Sequence, residues 1–288
     1  MVARDWPMSG VACPTNMKYP PCIGSRRGAA ALGSISLTTR SAGAFRRFLG
    51  ADMKLHCLQS GFIKSWRHLL VIGAAEGERV IVPIPFYLIE HPQGRVLFDT
   101  GQRVPARPPD QNGNYVVMMT PEERAVEQLR RAGFMPESVT HIILSHTHGD
   151  HVEGLPDLPD VRCYLQRKEA EMPAGQALIK ANSRKQWVFP DGELDLFGDG
   201  MIRLLPTYGH SPGHQSLLLS FADGRKILLT ADAAYTETAL TQHPRNEEEQ
   251  QRPYWQTIAH LRQLQAEGVV IITGHDPATW DDWQRQFP

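Results

Sequence analysis

The run Ser145-His146-Thr147-His148-Gly149-Asp150-His151 gathers three imidazoles and a carboxylate within six positions. Histidine and aspartate are the side chains that hold zinc, iron or manganese at neutral pH, so the first chemistry this sequence suggests is metal binding. The plain alternative is a polar surface loop that happens to carry histidines. Partners of the same kind argue against it. His210 and His214 stand in Gly209-His210-Ser211-Pro212-Gly213-His214, Asp232 follows Ile227-Leu228-Leu229-Thr230-Ala231, and His275 follows Val269-Val270-Ile271-Ile272-Thr273-Gly274.

Each of these groups lies just beyond a short apolar, partly β-branched run, the pattern of a buried strand. The first motif obeys the same rule, being preceded by Val139-Thr140-His141-Ile142-Ile143-Leu144. Strands that end at one edge of a packed layer bring their terminal loops to a common cleft. His146, His148, Asp150, His151, His210, Asp232 and His275 make seven candidate ligands. That is too many for one tetrahedral zinc and about right for two ions that share a bridging ligand. His214 is read as a structural, hydrogen-bonding residue, His141 as packed or half-exposed in its strand, and His260 as a surface position.

The remaining elements follow from periodicity. Lys54–Leu58, Val80–Ile89 and Arg95–Phe98 read as strands, with Pro83 and Pro85 implying an edge or an irregular pairing in the second. Thr120-Pro121-Glu122-Glu123 carries an N-cap, a proline at the first helical position and a capping-box glutamate. The helix it opens buries Val126 and Leu129 and stops at Gly133. A second helix, from about Pro253 to Glu267, buries Trp255, Ile258, Leu261 and Leu264. Residues 102–119 read as a loop without periodicity. Strands first, then strand–helix alternation, predict an α/β (α+β) protein of two mixed sheets with outer helices.

Composition narrows the function classes. The chain has 288 residues, a formal net charge of -1, 41% hydrophobic and 21% charged residues. Such a balance gives no reason to expect a nucleic-acid or anionic-membrane partner, and no apolar run reaches the length of a membrane span. Cys13, Cys22, Cys57 and Cys163 are scattered and form no C-x-x-C pair. They read as free thiols in a reducing, cytoplasmic compartment. Residues 1–52 hold six arginines, one lysine and two acidic residues. They are expected to be a disordered extension, or sequence upstream of a start at Met53, preceding one folded domain at 53–288.

Taken together, H-x-H-x-D-H, the later G-H-x-x-G-H, the strand-terminal Asp232, Gly274-His275 and the turn Asp99-Thr100-Gly101 resemble the metallo-β-lactamase superfamily, over Met53 to Pro288. The resemblance implies an αββα sandwich with metals at one edge of the sheets and Asp99 supporting the metal loop without ligating. Penicillin-cleaving members lack the last His of the first motif and have Cys where Asp232 stands. Hydroxyacylglutathione hydrolases carry a helical domain after the last ligand, and tRNA-processing members need a basic surface and an arm. Leu229-Thr230-Ala231-Asp232-Ala233-Ala234-Tyr235-Thr236, His210–Leu217 and Gly274-His275-Asp276 are most similar to N-acyl-homoserine lactonases. Two departures stand out: Tyr208 replaces a common proline before Gly-His, and neither the segment 59–80 nor the loop after Gly101 aligns.

The resemblance implies a ligand set and roles. His146, His148 and His210 would hold one divalent ion, expected to be Zn²⁺. Asp150, His151 and His275 would hold a second, with Asp232 bridging. A hydroxide between the ions would open a small-molecule lactone. Tyr235 would stabilise the oxyanion and Asp150 would protonate the leaving alkoxide. Rival readings are a hydrolase of thioesters, phosphodiesters or other lactones, a mononuclear iron persulfide oxygenase, and a non-catalytic binding protein. Oligomerisation is not indicated by the sequence.

Overall fold

The computed structural model describes residues 53–288; the expected N-terminal extension, 1–52, lies outside the described residues. Seven strands form the first sheet: β1 (Lys54–Trp66), β2 (Arg79–His91), β3 (Gly94–Phe98), β4 (Tyr115–Met118), β5 (His141–Ile143), β6 (Arg162–Tyr164) and β7 (Gln186–Val188), in the order β4-β1-β2-β3-β5-β6-β7. The second contains β8 (Leu194–Asp195), β9 (Ile202–Pro206), β10 (Gln215–Ser220), β11 (Lys226–Leu229) and β12 (Val270–Ile272), in the order β12-β11-β10-β9-β8. Both sheets are mixed. β3, β5, β6 and β7 run parallel, as do β11 and β12, while the remaining pairs are antiparallel.

Apolar side chains sort these sheets into four layers. Leu55, Tyr87, Val96, Phe98 and Ile143 of the first sheet meet Leu204, Leu217, Leu219, Leu229 and Ile272 of the second in one buried cluster. The alternate residues face outward. Phe86, Leu88, Leu97 and Ile142 pack against Val126 and Leu129 of the helix Ala125–Arg131. Leu205, Leu218, Leu228 and Ile271 pack against Trp255, Ile258 and Leu261 of the helix Pro253–Ala266. Continuous runs such as Ile227-Leu228-Leu229 are apolar at every position because both faces are covered. Each fully buried Leu, Ile or Phe contributes about 1.5–3 kcal/mol relative to exposure. This is the expected αββα arrangement.

Several expectations are corrected in detail. β2 is an interior strand, paired with β1 on one side and β3 on the other, so its prolines do not mark an edge. They mark the irregular pairing instead: Pro83 and Pro85 face a register shift between Gln59 and Phe62 of β1. Residues 102–119 contain the short edge strand β4, whose four residues offer too little alternation to be read from sequence. Its approach is tied by Arg79, whose guanidinium lies 3.7 Å over the Trp66 ring and donates to the carbonyls of Asn112 and Gly113. The helix at Thr120 starts as a 3₁₀ turn, Pro121–Glu123, before Ala125–Arg131. Among the described residues Cys57 and Cys163 are buried free thiols. Among those residues no helix is long and apolar enough to cross a membrane.

Two turns, one after a strand of each sheet, hold non-glycine residues in the left-handed region: Asp99 at φ 62° after β3 and Ala231 at φ 45° after β11. Such a conformation costs an ordinary residue of order 1 kcal/mol or more, so the surrounding hydrogen bonds must impose it. Asp99 N donates to Ile143 O, and Thr230 N donates to Ile272 O. Gly274, beyond β12, packs closely against the Ala231 turn. A Cβ there would lie 2.4 Å from Ala231 O and 3.3 Å from an Asp232 carboxylate oxygen. Gly274→Ala is therefore expected to lower stability by about 1–3 kcal/mol through overpacking, read as a reduced urea midpoint. An unchanged midpoint would mean that the Ala231 turn yields freely.

Candidate metal centre

Strand ends deliver the candidate ligands. Leu144 N bonds Tyr164 O as β5 ends, and Ser145 then turns the chain into the His146–His151 loop. The second sheet grips this turn, because Gln215 N donates to Ser145 O and Gln215 Nε2 to Leu144 O. The short helix Gly149–Val152 carries Asp150 and His151, and its His151 carbonyl accepts from Thr100 N and Thr100 Oγ1. His210 lies beyond β9, Asp232 in the 3₁₀ turn Ala231–Ala233 after β11, and His275 beyond β12.

All seven sequence-predicted ligands come together. His146, His148, His210 and Asp232 form one group and Asp150, His151 and His275 another, the donor atoms within each lying within 4.8 Å of one another. His210 Nε2 is 3.0 Å from both His146 Nε2 and His148 Nδ1. Ring nitrogens that meet at such spacing converge on a point where a cation satisfies them all. Asp232 faces both groups. Its Oδ2 is 3.2 Å from His210 Nε2 and 3.5 Å from His146 Nε2, while Oδ1 is 3.0 Å from His275 Nε2 and 3.2 Å from His151 Nε2. Asp150 Oδ2 lies 3.4 Å from His151 Nε2 and 3.5 Å from His275 Nε2.

The fit to a divalent ion is tested by what these atoms lack. His151 Nε2 and Asp232 Oδ1 are buried and, though 3.2 Å apart, form no aligned hydrogen bond, a costly condition unless something else satisfies them. The ring nitrogens on the far side of the imidazoles are, by contrast, engaged. His151 Nδ1 is 2.8 Å from Asp99 Oδ2, His275 Nδ1 donates to Pro83 O at 2.7 Å, and Ser145 Oγ is 3.0 Å from His146 Nδ1. Backing partners of this kind fix the tautomer that leaves the other nitrogen's lone pair free for metal. Asp99 also accepts from Ser145 N at 2.7 Å and Ser145 Oγ at 2.8 Å. It supports the loop from behind and lies in neither ligand group, as expected. The five imidazoles and two carboxylates fit divalent metal.

Charge follows the same division. Burial first, then the neighbouring imidazoles, holds His146 well below the usual histidine range, and burial brings His210 down to about 4. Both are neutral donors at pH 7. Burial alone would raise the Asp232 carboxyl, but His151, His275 and His210 outweigh it and hold the group well below its usual range. Burial opposes protonation of His151 and His275, yet Asp150 and Asp232 raise both. The two carboxylates thus favour positive charge at this second group.

Other predicted residues fall where they were placed or nearby. His214 is in neither group; it is fully buried, with Nδ1 2.8 Å from Thr207 Oγ1. His141 is buried against Thr140 Oγ1, and His260 is exposed. Tyr235 is half-buried, with its hydroxyl 3.3 Å from His210 Nδ1. Tyr208, the departure from the common proline, sets its ring 4.3 Å from Lys168 Nζ and its carbonyl accepts from Thr257. Sequence reasoning missed two neighbours of the centre. Glu169 is buried between the two histidine loops. Tyr115, on β4, lies close enough to Asp150 and Asp232 that burial first, and their charges next, raise its phenol well above its usual range. Neither stands in a motif, so spacing carried no signal for them.

A divalent ion competes with protons for His151 and His275, whose proton affinity the neighbouring carboxylates raise, so binding is expected to release protons and to tighten as pH rises. Calorimetric titration in buffers of differing ionisation enthalpy reads this directly; buffer-independent heats would contradict it. Stripping the ions should also lower Tm, since a free ion at 100 times its Kd adds about 2.7 kcal/mol.

The sequence model of the Metallo-beta-lactamase superfamily matches residues 81–275. An N-acyl homoserine lactonase of Rhizobium radiobacter, AttM, is 30% identical over 263 residues, spanning 81% of this chain and 97% of that protein. The N-acyl homoserine lactonase AiiA of Bacillus thuringiensis subsp. kurstaki is 34% identical over 175 residues, 56% of this chain and 68% of that protein. Among solved structures, an N-acyl homoserine lactone hydrolase with the product N-hexanoyl-L-homoserine at its catalytic metal centre superposes with a TM-score of 0.66 at 26% identity, covering 80% of this chain and 95% of that one. The sandwich, the strand-end ligands and these matches agree: this chain belongs to the metallo-beta-lactamase superfamily.

Proposed function

We propose that residues 53–288 form a dinuclear metal-dependent hydrolase that opens the lactone ring of N-acyl-homoserine lactones. In this reading His146, His148 and His210 hold one ion, Asp150, His151 and His275 hold the other, and Asp232 is shared. The observation that carries it is the two-sided Asp232 carboxylate, whose oxygens face separate sets of imidazole nitrogens. The ions are zinc, which suits a set of nitrogen and oxygen donors without thiolate. A mononuclear iron site would leave one of the two groups, and the second face of Asp232, without a partner. The lactone substrate is supported by the relatives named as N-acyl homoserine lactonases, which align over most of the chain.

When bound, the ions supply a hydroxide nucleophile at neutral pH and polarise the carbonyl under attack. The protein's own groups bind and move protons around that chemistry. His210 Nδ1–H donates to the Tyr235 hydroxyl oxygen, which leaves the phenolic proton to be given to a developing oxyanion. Burial, then Asp232 and Asp150, keep that phenol protonated far above neutrality, so it acts as a hydrogen-bond donor. Asp150, a carboxylate beside His151 and His275, would take the proton given up by the nucleophilic water and return it to the leaving alkoxide.

The test is a pH-stat assay on homoserine lactones of graded acyl length, beside a thioester and a phosphodiester, with metal analysis of the same sample. Lactone opening by protein holding about two zinc ions is expected. Turnover of only a thioester or phosphodiester would overturn the lactonase reading, and one iron with oxygen consumption would overturn the hydrolase. Tyr235→Phe should keep both ions and lose up to about 10²-fold in kcat, the effect of one oxyanion donor. Unchanged kcat would reduce Tyr235 to a packing residue.

A further inference from the structure

We propose that Glu169 is a positioning residue for the first metal group: its carboxylate ties the loop of His146 and His148 to the loop of His210 and sets the spacing at which their nitrogens meet. The inference rests on the ligand assignment proposed above. Glu169 lies on the short helix Arg167–Ala170 and is 1% exposed. Its Oε1 accepts from Thr147 N at 3.2 Å and Thr147 Oγ1 at 2.8 Å. Its Oε2 accepts from Ser211 Oγ at 2.8 Å and Gly213 N at 3.0 Å. Thr147 separates His146 from His148, and Ser211 follows His210, so one rigid group grips both loops beside their ligands.

The chemistry requires a carboxylate rather than any polar side chain. Each oxygen receives one backbone N–H, and a backbone N–H cannot reverse its direction. A glutamine amide has a single oxygen, so its NH₂ would meet the N–H of either Thr147 or Gly213 whichever way it turned. The near-isosteric change Glu169→Gln must therefore release one loop. The group has no room to adjust, because a Cβ on Gly213 would lie 2.3 Å from Glu169 N; the two backbones already touch where glycine alone permits it.

Zinc-loaded wild type and Glu169→Gln are titrated with a competing chelator, and release is followed per chain. Cobalt-substituted samples are followed by visible absorption, with His148→Ala marking which ion belongs to the first group. In Glu169→Gln that ion should leave about 10–100-fold more readily and its cobalt spectrum should change, while the other ion is held as in wild type. Identical release and spectra, or equal weakening of both ions, would overturn the proposal. If Glu169→Gln does not fold, Thr147→Val and Ser211→Ala each remove one hydroxyl bond; both should weaken the same ion several-fold, and unchanged release in both overturns it. No lactone is used, so the two readings fail separately. Wild type that binds no ion at His146, His148 and His210 defeats the ligand assignment and this inference together, whereas normal binding in the glutamine variant defeats only the role of Glu169.

Discussion

Convergence of buried lone pairs and carboxylates on two points governs this molecule. His146, His151, Asp150, Asp232 and His275 are all at most 5% exposed, and their donor atoms face one another. Imidazole nitrogens at 3.0 Å and a carboxylate between two sets of rings repel or starve one another in an apolar surrounding. Cations remove that conflict. The opposite directions in which burial and charge push the histidines express the same balance, with His146 and His210 lowered at one point and His151 and His275 raised at the other.

Holding such an arrangement demands rigidity from outside it. The sandwich provides this by ending β3, β5, β9, β11 and β12 so that the following turns reach one edge. Two parallel pairs, β3–β5 and β11–β12, carry four of these ends. The left-handed residues Asp99 and Ala231 are the local penalty for turning sharply there. Behind the ligands, Asp99, Ser145, Pro83 and Gln215 fix ring orientations and loop positions through hydrogen bonds that cross between strands distant in sequence. The irregular pairing of β2 belongs to this scheme, since the Pro83 carbonyl receives the Nδ1–H of His275.

Legibility from the sequence tracked how local the cause was. The candidate ligands could be read because each follows an apolar run within a few residues, and a strand end is a local event. The helices Ala125–Arg131 and Pro253–Ala266 were legible for the same reason, through their end signals and apolar stripes. The edge strand β4 was not, because its pairing partner Phe62–Ser65 lies some fifty residues earlier and four residues show no period of their own. The prolines of β2 pointed correctly to an irregularity and wrongly allowed an edge, since whether a strand is flanked on both sides depends on chain that is remote from it. Glu169 was invisible. Its role arises from donors at Thr147, Ser211 and Gly213, none of which is its neighbour in sequence.

The sequence by itself determined the chemical types and their order: five imidazoles and two carboxylates at strand ends, a supporting Asp99 and a tyrosine three positions after Asp232. It also determined the layered architecture, because apolar runs without alternation can be buried only between two covered faces. Only the tertiary structure decided that Asp232 turns one oxygen to each group, that each imidazole presents a particular nitrogen, and that Glu169 and Tyr115 stand beside the centre. Those outcomes depend on contacts of a few ångströms between segments separated by tens to nearly two hundred residues. Composition and spacing constrain the chain locally, whereas distances at that scale are set by how the sheets close on one another.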